Sequence, residues 1–368
     1  MHRTKVLILF IICMVTYNSD LLSQKNKLLQ IDNLMKQIPD SSTISTDGIA
    51  AYISSNINDQ RNRAYATFSW IAENIQYDVE NMFNIDFYQP SDVVINKVLS
   101  TRKGVCLHFS DLFQEIAEKV GIKSYVVLGY TKQNGLIDHF PHSWCAGLID
   151  TTWYLFDPAW GSGYFEKGVF YKQKNLKQFM VSPSRFIKTH MPFDPIWQFL
   201  NYPKTNQDFY YPKTTLNPGN TYYNYIDSIN KYEHQSDLEK LESSISRIKQ
   251  NGITNVLIIR EMNYMQDQII SRKYSDVVTL YNEGISLLNQ SIQIWNEFNP
   301  GKNTKKIIEL LDLSENSLKV CRANLSEIKN QTGLITTSVN QMYALIDIAE
   351  KSIKDLRASV LRYLNTQK

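Results

Sequence analysis

From Asn220 to the C-terminus, apolar residues recur at alternate spacings of three and four. One seam runs Tyr281, Ile285, Leu288, Ile292, Trp295. A second runs Ile307, Leu311, Leu318, Cys321, Leu325, Ile328, broken once at Ser314. A third runs Val339, Met342, Ile346, Ala349, Ile353, Leu356, Val360. That spacing gathers residues on one face of an α-helix, and such a face must be buried against a neighbour. Asn299-Pro300-Gly301 and Thr332-Gly333 separate the runs. Residues 220–368 are therefore expected to form an all-α bundle of antiparallel helices. There is no repeat of fixed period. The bundle shows no evident chemistry, so we read it as a scaffold or a surface for a protein partner.

The chain before Asn220 is patterned differently. Helical spacing covers the stretch from 24 onward, with Leu28, Leu29, Ile31, Leu34 and Met35 on one face, and a Ser/Thr-rich break spans Pro39 to Asp47. Further helices are expected at about Asp59–Ile75, Ser91–Leu99 and Val105–Val120, the last stopped by Gly121. Strand signals follow at Lys123–Tyr130, Ser143–Ile149 and Trp153–Phe156, the last two joined by Asp150-Thr-Thr152. Helices packed on an antiparallel sheet make an α+β domain. Residues 160–220 hold six prolines and many aromatics, too many apolar rings for a linker, and are expected to pack back on the sheet.

A chain of 368 residues has room for two domains. We place them at 24–219 and 220–368. A net charge of +3 with only 20% charged residues argues against a nucleic-acid surface. His2, Arg3 and Lys5 precede a short apolar run, Val6 to Tyr17, with small Ser23 ahead of a cleavage point. Residues 1–23 thus read as a signal peptide, too short to span a bilayer, and the protein as exported, periplasmic or secreted. Three cysteines would remain after cleavage, Cys106, Cys145 and Cys321. An odd count leaves a free thiol. Cys321 lies on a helix seam and reads as a small buried residue.

Cys106 falls where a helix begins, His142 where an apolar strand begins, and Asp157 where a strand ends. A helix start lowers a thiol pKa, an imidazole can hold the thiolate, and a carboxylate can orient the imidazole. The strands of His142 and Asp157 are neighbours in an antiparallel order, so cross-strand pairing can join them. His139, His142 and Cys145 could instead be a zinc cluster. Residues three apart on a strand face opposite sides, which argues against it, and no metal or cofactor is expected. His139 reads as a solvated loop residue. His108, Trp144 and Trp160 are candidates for substrate contact. The two tryptophans read equally well as core aromatics.

Three blocks carry a resemblance to a family. They are Ala64-Tyr-Ala-Thr-Phe-Ser-Trp-Ile-Ala-Glu-Asn-Ile-Gln-Tyr-Asp78, then Lys103-Gly-Val-Cys106, then His142-Ser-Trp144 with Trp153-Tyr-Leu-Phe-Asp-Pro-Ala-Trp-Gly161. The stretch from Ala64 to Gly163 resembles the transglutaminase-like superfamily, nearest to its bacterial, kyphoscoliosis-peptidase-like branch. The resemblance implies a papain-like cysteine-enzyme domain with Cys106 as nucleophile, His142 as base and Asp157 as orienting carboxylate. Cys145 stands where the family often has Asn, and His108 where Gly is common. The resemblance, with export, implies hydrolysis of peptide or carboxamide bonds, cell-wall peptides among them. Alternatives are a cross-linking transglutaminase and a non-catalytic interaction protein.

Overall fold

The computed structural model describes residues 23–82, 90–211, 221–297, 303–329 and 336–366. The chain forms two compact units. One holds the described residues up to His234 together with Ser244–Glu261. The other holds Gln235–Ser243 and the described residues from Met262 onward.

The first unit opens with helices α1 (23–35), α2 (Thr46–Asn56) and α3 (Gln60–Asn74). Ser45 and Asp59 cap α2 and α3 by accepting the Gly48 and Asn62 N–H groups. A two-residue strand β1 (Gln76–Tyr77) follows α3. Then come α4 (Ser91–Thr101), β2 (Lys103–Gly104) and α5 (Cys106–Lys119). Strands β1 and β2 pair in parallel, with Tyr77 opposite Gly104. This short pairing brings the end of α3 beside the start of α5. Phe109, Leu112, Phe113, Ile116 and Ala117 bury one side of α5, and Gly121 (φ 83°) ends it.

Strands β3 (Ser124–Gln133), β4 (Leu136–Ile149) and β5 (Thr152–Phe156) build the antiparallel sheet, with helix α6 (Pro158–Ser162) next. A two-stranded ribbon, β6 (Gly163–Glu166) and β7 (Val169–Lys172), then turns at Lys167-Gly168. Helix α7 (Pro183–Phe186) and strand β8 (His190–Pro192) come from the proline- and aromatic-rich stretch, and β8 adds to the free edge of β3. The sheet order is β5-β4-β3-β8. One core lies between the sheet and α1–α5 and includes Phe68, Phe113, Cys145 and Phe156. A second, on the other face, includes Val127, Trp144, Trp153, Phe186, Ile196 and Phe199.

Two expectations need correction. His139 reads as a loop residue and the strand as starting at Ser143, yet β4 begins at Leu136 and carries His139. Asn134 (φ 51°) and Gly135 (φ 83°) form the tight turn of a long β3–β4 hairpin. Positive φ at both central positions matches the twist of such strands. The break expected at 219/220 also lies too early. After α8 (Asn206–Tyr210), helix α9 (Tyr225–Glu233) packs on the sheet domain. Ile229 is buried in the second core, Tyr232 meets Trp197 edge-on, and Glu233 pairs with Lys123 at 2.5 Å. Arg247 clamps buried Asp194 with 2.8 and 2.6 Å bonds. It lies on α10 (Asp237–Gln250), a helix that the unit boundary crosses.

The second unit is helical, as expected. Helices α11 (Val256–Trp295, from Met262 on), α12 (Thr304–Lys329) and α13 (Thr336–Thr366) share one core. The α12 and α13 seams are buried almost throughout, whereas Ile292 of the first seam is 37% exposed. Ser314 occupies the seam position between Leu311 and Leu318. It is fully buried and donates to Gly284 O at 2.7 Å. The breaks expected at Asn299-Pro300-Gly301 and Thr332-Gly333, and residues 1–22 of the expected signal peptide, lie outside the described residues. Among the described residues no helix is long and apolar enough to cross a membrane.

Gly129 sets how closely β8 can approach. It pairs with His142 on one side and Pro192 on the other. A Cβ there would lie 2.2 Å from Met191 O and 2.5 Å from the Trp144 ring. Gly129→Ala should therefore lower stability by about 1–3 kcal/mol, the usual cost of overpacking. A urea midpoint measures it. An unchanged midpoint would mean that β8 does not sit this close to β3.

Candidate functional site

Cys106 is the first residue of α5, directly after the extended N-cap Val105. Its N–H has no partner within the helix, and its sulfur lies at the positive end of the helix dipole. The side chain is 3% exposed. His142 hydrogen-bonds to the sulfur, and Ser143 reaches it through both backbone and side chain. His142 Nε2 is 2.7 Å from Asp157 Oδ2. With Nε2 committed, Nδ1 is the ring nitrogen left for the sulfur. The structure thus joins Cys106, His142 and Asp157 in one hydrogen-bonded chain.

Asp157 follows β5 and caps α6. Its Oδ1 accepts the Trp160 N–H at 2.9 Å, and Pro158 is preset for the first helical position. Its Oδ2 takes a second imidazole, His190 Nε2, at 3.2 Å. The Thr189 hydroxyl lies 2.8 Å from His190 Nδ1. The relay therefore has five members rather than three.

The electrostatics follow from burial and pairing. Burial alone would raise the Cys106 thiol, but the hydrogen bond and charge of His142, with Ser143, hold it below its ordinary value. Burial disfavours imidazolium at His142, yet the Asp157 carboxylate and then the Cys106 sulfur lift its pKa to about 10. Burial would raise Asp157, but its bonds to His142 and His190 pull it well below the usual carboxylate range. Burial wins at His190, whose pKa falls. A lowered thiol beside a raised imidazole is the signature of a thiolate–imidazolium pair.

Tyr77 is the second group that sequence reasoning missed. Its hydroxyl takes the Cys106 N–H and meets the Cys106 sulfur, and its pKa is raised by burial and then by those charges. The ring is held by Phe109, Phe165 and Phe170 at 6.1, 5.0 and 5.6 Å. The Ile75-Gln-Tyr77 segment ending a helix was the available clue. His190 gave none, because it lies in the stretch read only as an extension.

The side chains of the other candidates lie outside this hydrogen-bonded chain. His108 Nδ1 accepts the Val105 N–H at 3.3 Å and so caps α5. Trp144 is 1% exposed, behind His142 among Phe186 and His190, and belongs to the core. Trp160 is half-buried, 5.4 Å from His142 and 4.6 Å from His190. Cys106, Cys145 and Cys321 are all buried free thiols. Cys145 lies under α5, donating to Ser110 O at 3.2 Å, one helical turn beyond Cys106. His142, Asp157 and His190 bring three metal-ligating atoms within 4.8 Å of one another. In this arrangement both imidazoles already bond the Asp157 carboxylate.

Residues 47–158 match the model of the transglutaminase-like superfamily. That segment of the chain is a transglutaminase-like domain. The match takes in Cys106, His142 and Asp157 and stops before His190. No curated protein matches the chain. One solved structure, a TGase, is similar at 22% identity over 41% of this chain and 37% of that one, with a TM-score of 0.25. The chain therefore spans well under two thirds of that protein.

The pKa pattern sets a pH window. The thiolate persists below the ordinary thiol range, and the imidazolium survives up to about pH 10. Alkylation of Cys106 by iodoacetamide should thus remain fast at pH 7, while Cys145 and Cys321, both raised by burial, react slowly. Asp157→Asn removes the charge that lifts His142. It should move the thiol's apparent pKa upward, read from the pH dependence of alkylation. An unmoved profile would uncouple Asp157 from the pair.

Proposed function

We propose that this protein is an exported thiol enzyme that transfers acyl groups from peptide or carboxamide bonds, with water as the usual acceptor. The observation that carries the reading is the closed chain from Cys106 sulfur through His142 to the buried Asp157. A lone buried carboxylate is costly, and this one meets two imidazoles and a helix N–H. Such an arrangement suits a group that must hold a proton-carrying imidazole beside a nucleophile.

The Cys106 thiolate attacks the carbonyl carbon, and the carbonyl electrons move to oxygen. The Cys106 N–H, held by the Tyr77 hydroxyl before substrate enters, exchanges that bond for one to the oxygen, and the Tyr77 hydroxyl turns its own proton to it. His142, kept protonated by Asp157, passes its proton to the departing amine as the C–N bond breaks. The remaining thioester is opened by water, which His142 deprotonates, giving a carboxylate and the free thiol. His190 donates to Asp157 and positions it. Trp160 covers one side of the imidazole and limits water there.

The basic n-region and short apolar run at the N-terminus support export. The thioester step is also open to an amine, which would give cross-linking. Incubating the protein with a carboxamide-bearing peptide library, with and without a primary amine, separates the outcomes by mass. Hydrolysis of a carboxamide exchanges ammonia for water, aminolysis exchanges it for the added amine, and Cys106→Ala must abolish either. If the wild type leaves every peptide unchanged while Cys106 alkylates no faster than the other two thiols, the enzyme reading falls.

Tyr77→Phe keeps the packing against three phenylalanines and removes one oxyanion donor. It should lower kcat about 10²–10³-fold with a small change in KM. An unchanged kcat would remove Tyr77 from the mechanism.

A further inference from the structure

On the face of α3 that also meets α1, the structure holds a cavity of about 370 Å³ whose lining includes Asp32, Asp40, Trp70, Glu73, Arg102 and Lys174. It is separate from the relay around Cys106, and the mechanism above uses none of these side chains.

Most polar groups in it are already engaged. Lys174 bonds Asp32 at 2.8 Å, Glu73 at 3.2 Å and the Ser69 hydroxyl at 3.0 Å. Arg102 Nη2 donates to Thr43 Oγ1 at 2.7 Å and to Thr43 O at 3.2 Å. Two buried donors are not engaged. Trp70 Nε1 and Arg102 Nη1 are both buried and have no hydrogen-bond partner. Trp70 is 1% exposed. The guanidinium sits 5.2 Å over the Trp70 ring, so the two donors belong to touching side chains of one cavity wall. Burial lowers the Arg102 pKa, and Asp40 offsets this only through its charge. Unpaired buried N–H groups are rare because each forfeits a hydrogen bond.

We propose that this cavity binds a small zwitterionic carboxylate, of the size of a free α-amino acid. The carboxylate takes the Trp70 indole N–H and the Arg102 Nη1–H. The ammonium lies toward Asp40 and Glu73. The charge balance selects this class over a phosphate. Lys36, Arg102 and Lys174 line the space against Asp32, Asp40 and Glu73. No net positive charge is left for a dianion, and three carboxylates repel it. The site stands whether or not Cys106 turns over a substrate.

Glycine, acetate and inorganic phosphate are the probes. In ¹H–¹⁵N spectra of the full chain, which has six tryptophans, Trp70→Phe identifies the Trp70 indole signal by its loss. Glycine should move that signal downfield and saturate it at one site per chain. Calorimetry should give at least tenfold weaker glycine binding in Arg102→Met, which keeps the aliphatic stem over Trp70. Acetate, lacking the ammonium, should bind at least tenfold more weakly than glycine. The proposal is overturned if glycine leaves the signal unmoved above about 10 mM, where only affinities of a few kcal/mol would be missed. It is equally overturned if phosphate moves the signal and glycine does not, or if Arg102→Met binds glycine as the wild type does. Should Trp70→Phe fail to fold, the wild-type titration and Arg102→Met still decide.

Discussion

The Asp157 carboxylate is fully buried and still charged, and the architecture around it is organised to keep it so. Removing a carboxylate from water costs several kcal/mol unless donors replace the solvent. Asp157 has three, and each comes from a different part of the fold. Trp160 N–H comes from the turn into α6, His142 from the middle of the sheet, and His190 from the edge strand β8. The carboxylate therefore fastens the aromatic extension to the sheet as well as orienting the imidazole. Losing one donor would leave a buried charge short of partners, which is worse than never having had the pair.

Much of this domain was legible because its signals are local. Asp59 and Gly121 bound their helices as capping chemistry requires, and the α5 apolar stripe reads directly as a buried face. The order of Cys106, His142 and Asp157 was readable for a similar reason. A helix start, a strand and a strand end each leave a mark in a few residues. The helical unit was legible through its seams, and even Ser314 keeps the three-and-four rhythm. It breaks the apolar pattern because its hydroxyl is satisfied by the Gly284 carbonyl, where the absence of a side chain lets the helices approach.

What stayed hidden depends on contacts distant in sequence. His190 meets Asp157 across 33 residues, through a three-residue strand that adds to β3 only because Gly129 offers no Cβ. No periodicity marks a strand that short. Asn134-Gly135 was a readable hairpin signal, but Pro141 and the polar run Asp138-His139 masked the strand after it. Pro141 is tolerated next to an irregularity in the β3–β4 register between Tyr130 and Lys132. Helix α9 joins the first unit because its ring-bearing face matches the aromatic extension, and a helical pattern alone cannot say which core it faces.

The buried charges of the relay also have to balance. A Cys106 thiolate, a His142 imidazolium and an Asp157 carboxylate together carry one negative charge. Protonating His190 would cancel it, but burial keeps that ring neutral, and His142 opposes it as a like charge. A neutral His190 bonded at Nε2 to a carboxylate must carry its proton there, so Nδ1 accepts from the Thr189 hydroxyl. The excess charge is met by dipoles instead: the N-terminus of α5, the Trp160 N–H, the His190 N–H and the groups of Ser143. Dipoles fixed in the fold stabilise the charge without a counterion that would compete for the sulfur. They also leave the His142 proton as the one mobile charge in the site, free to follow the departing amine.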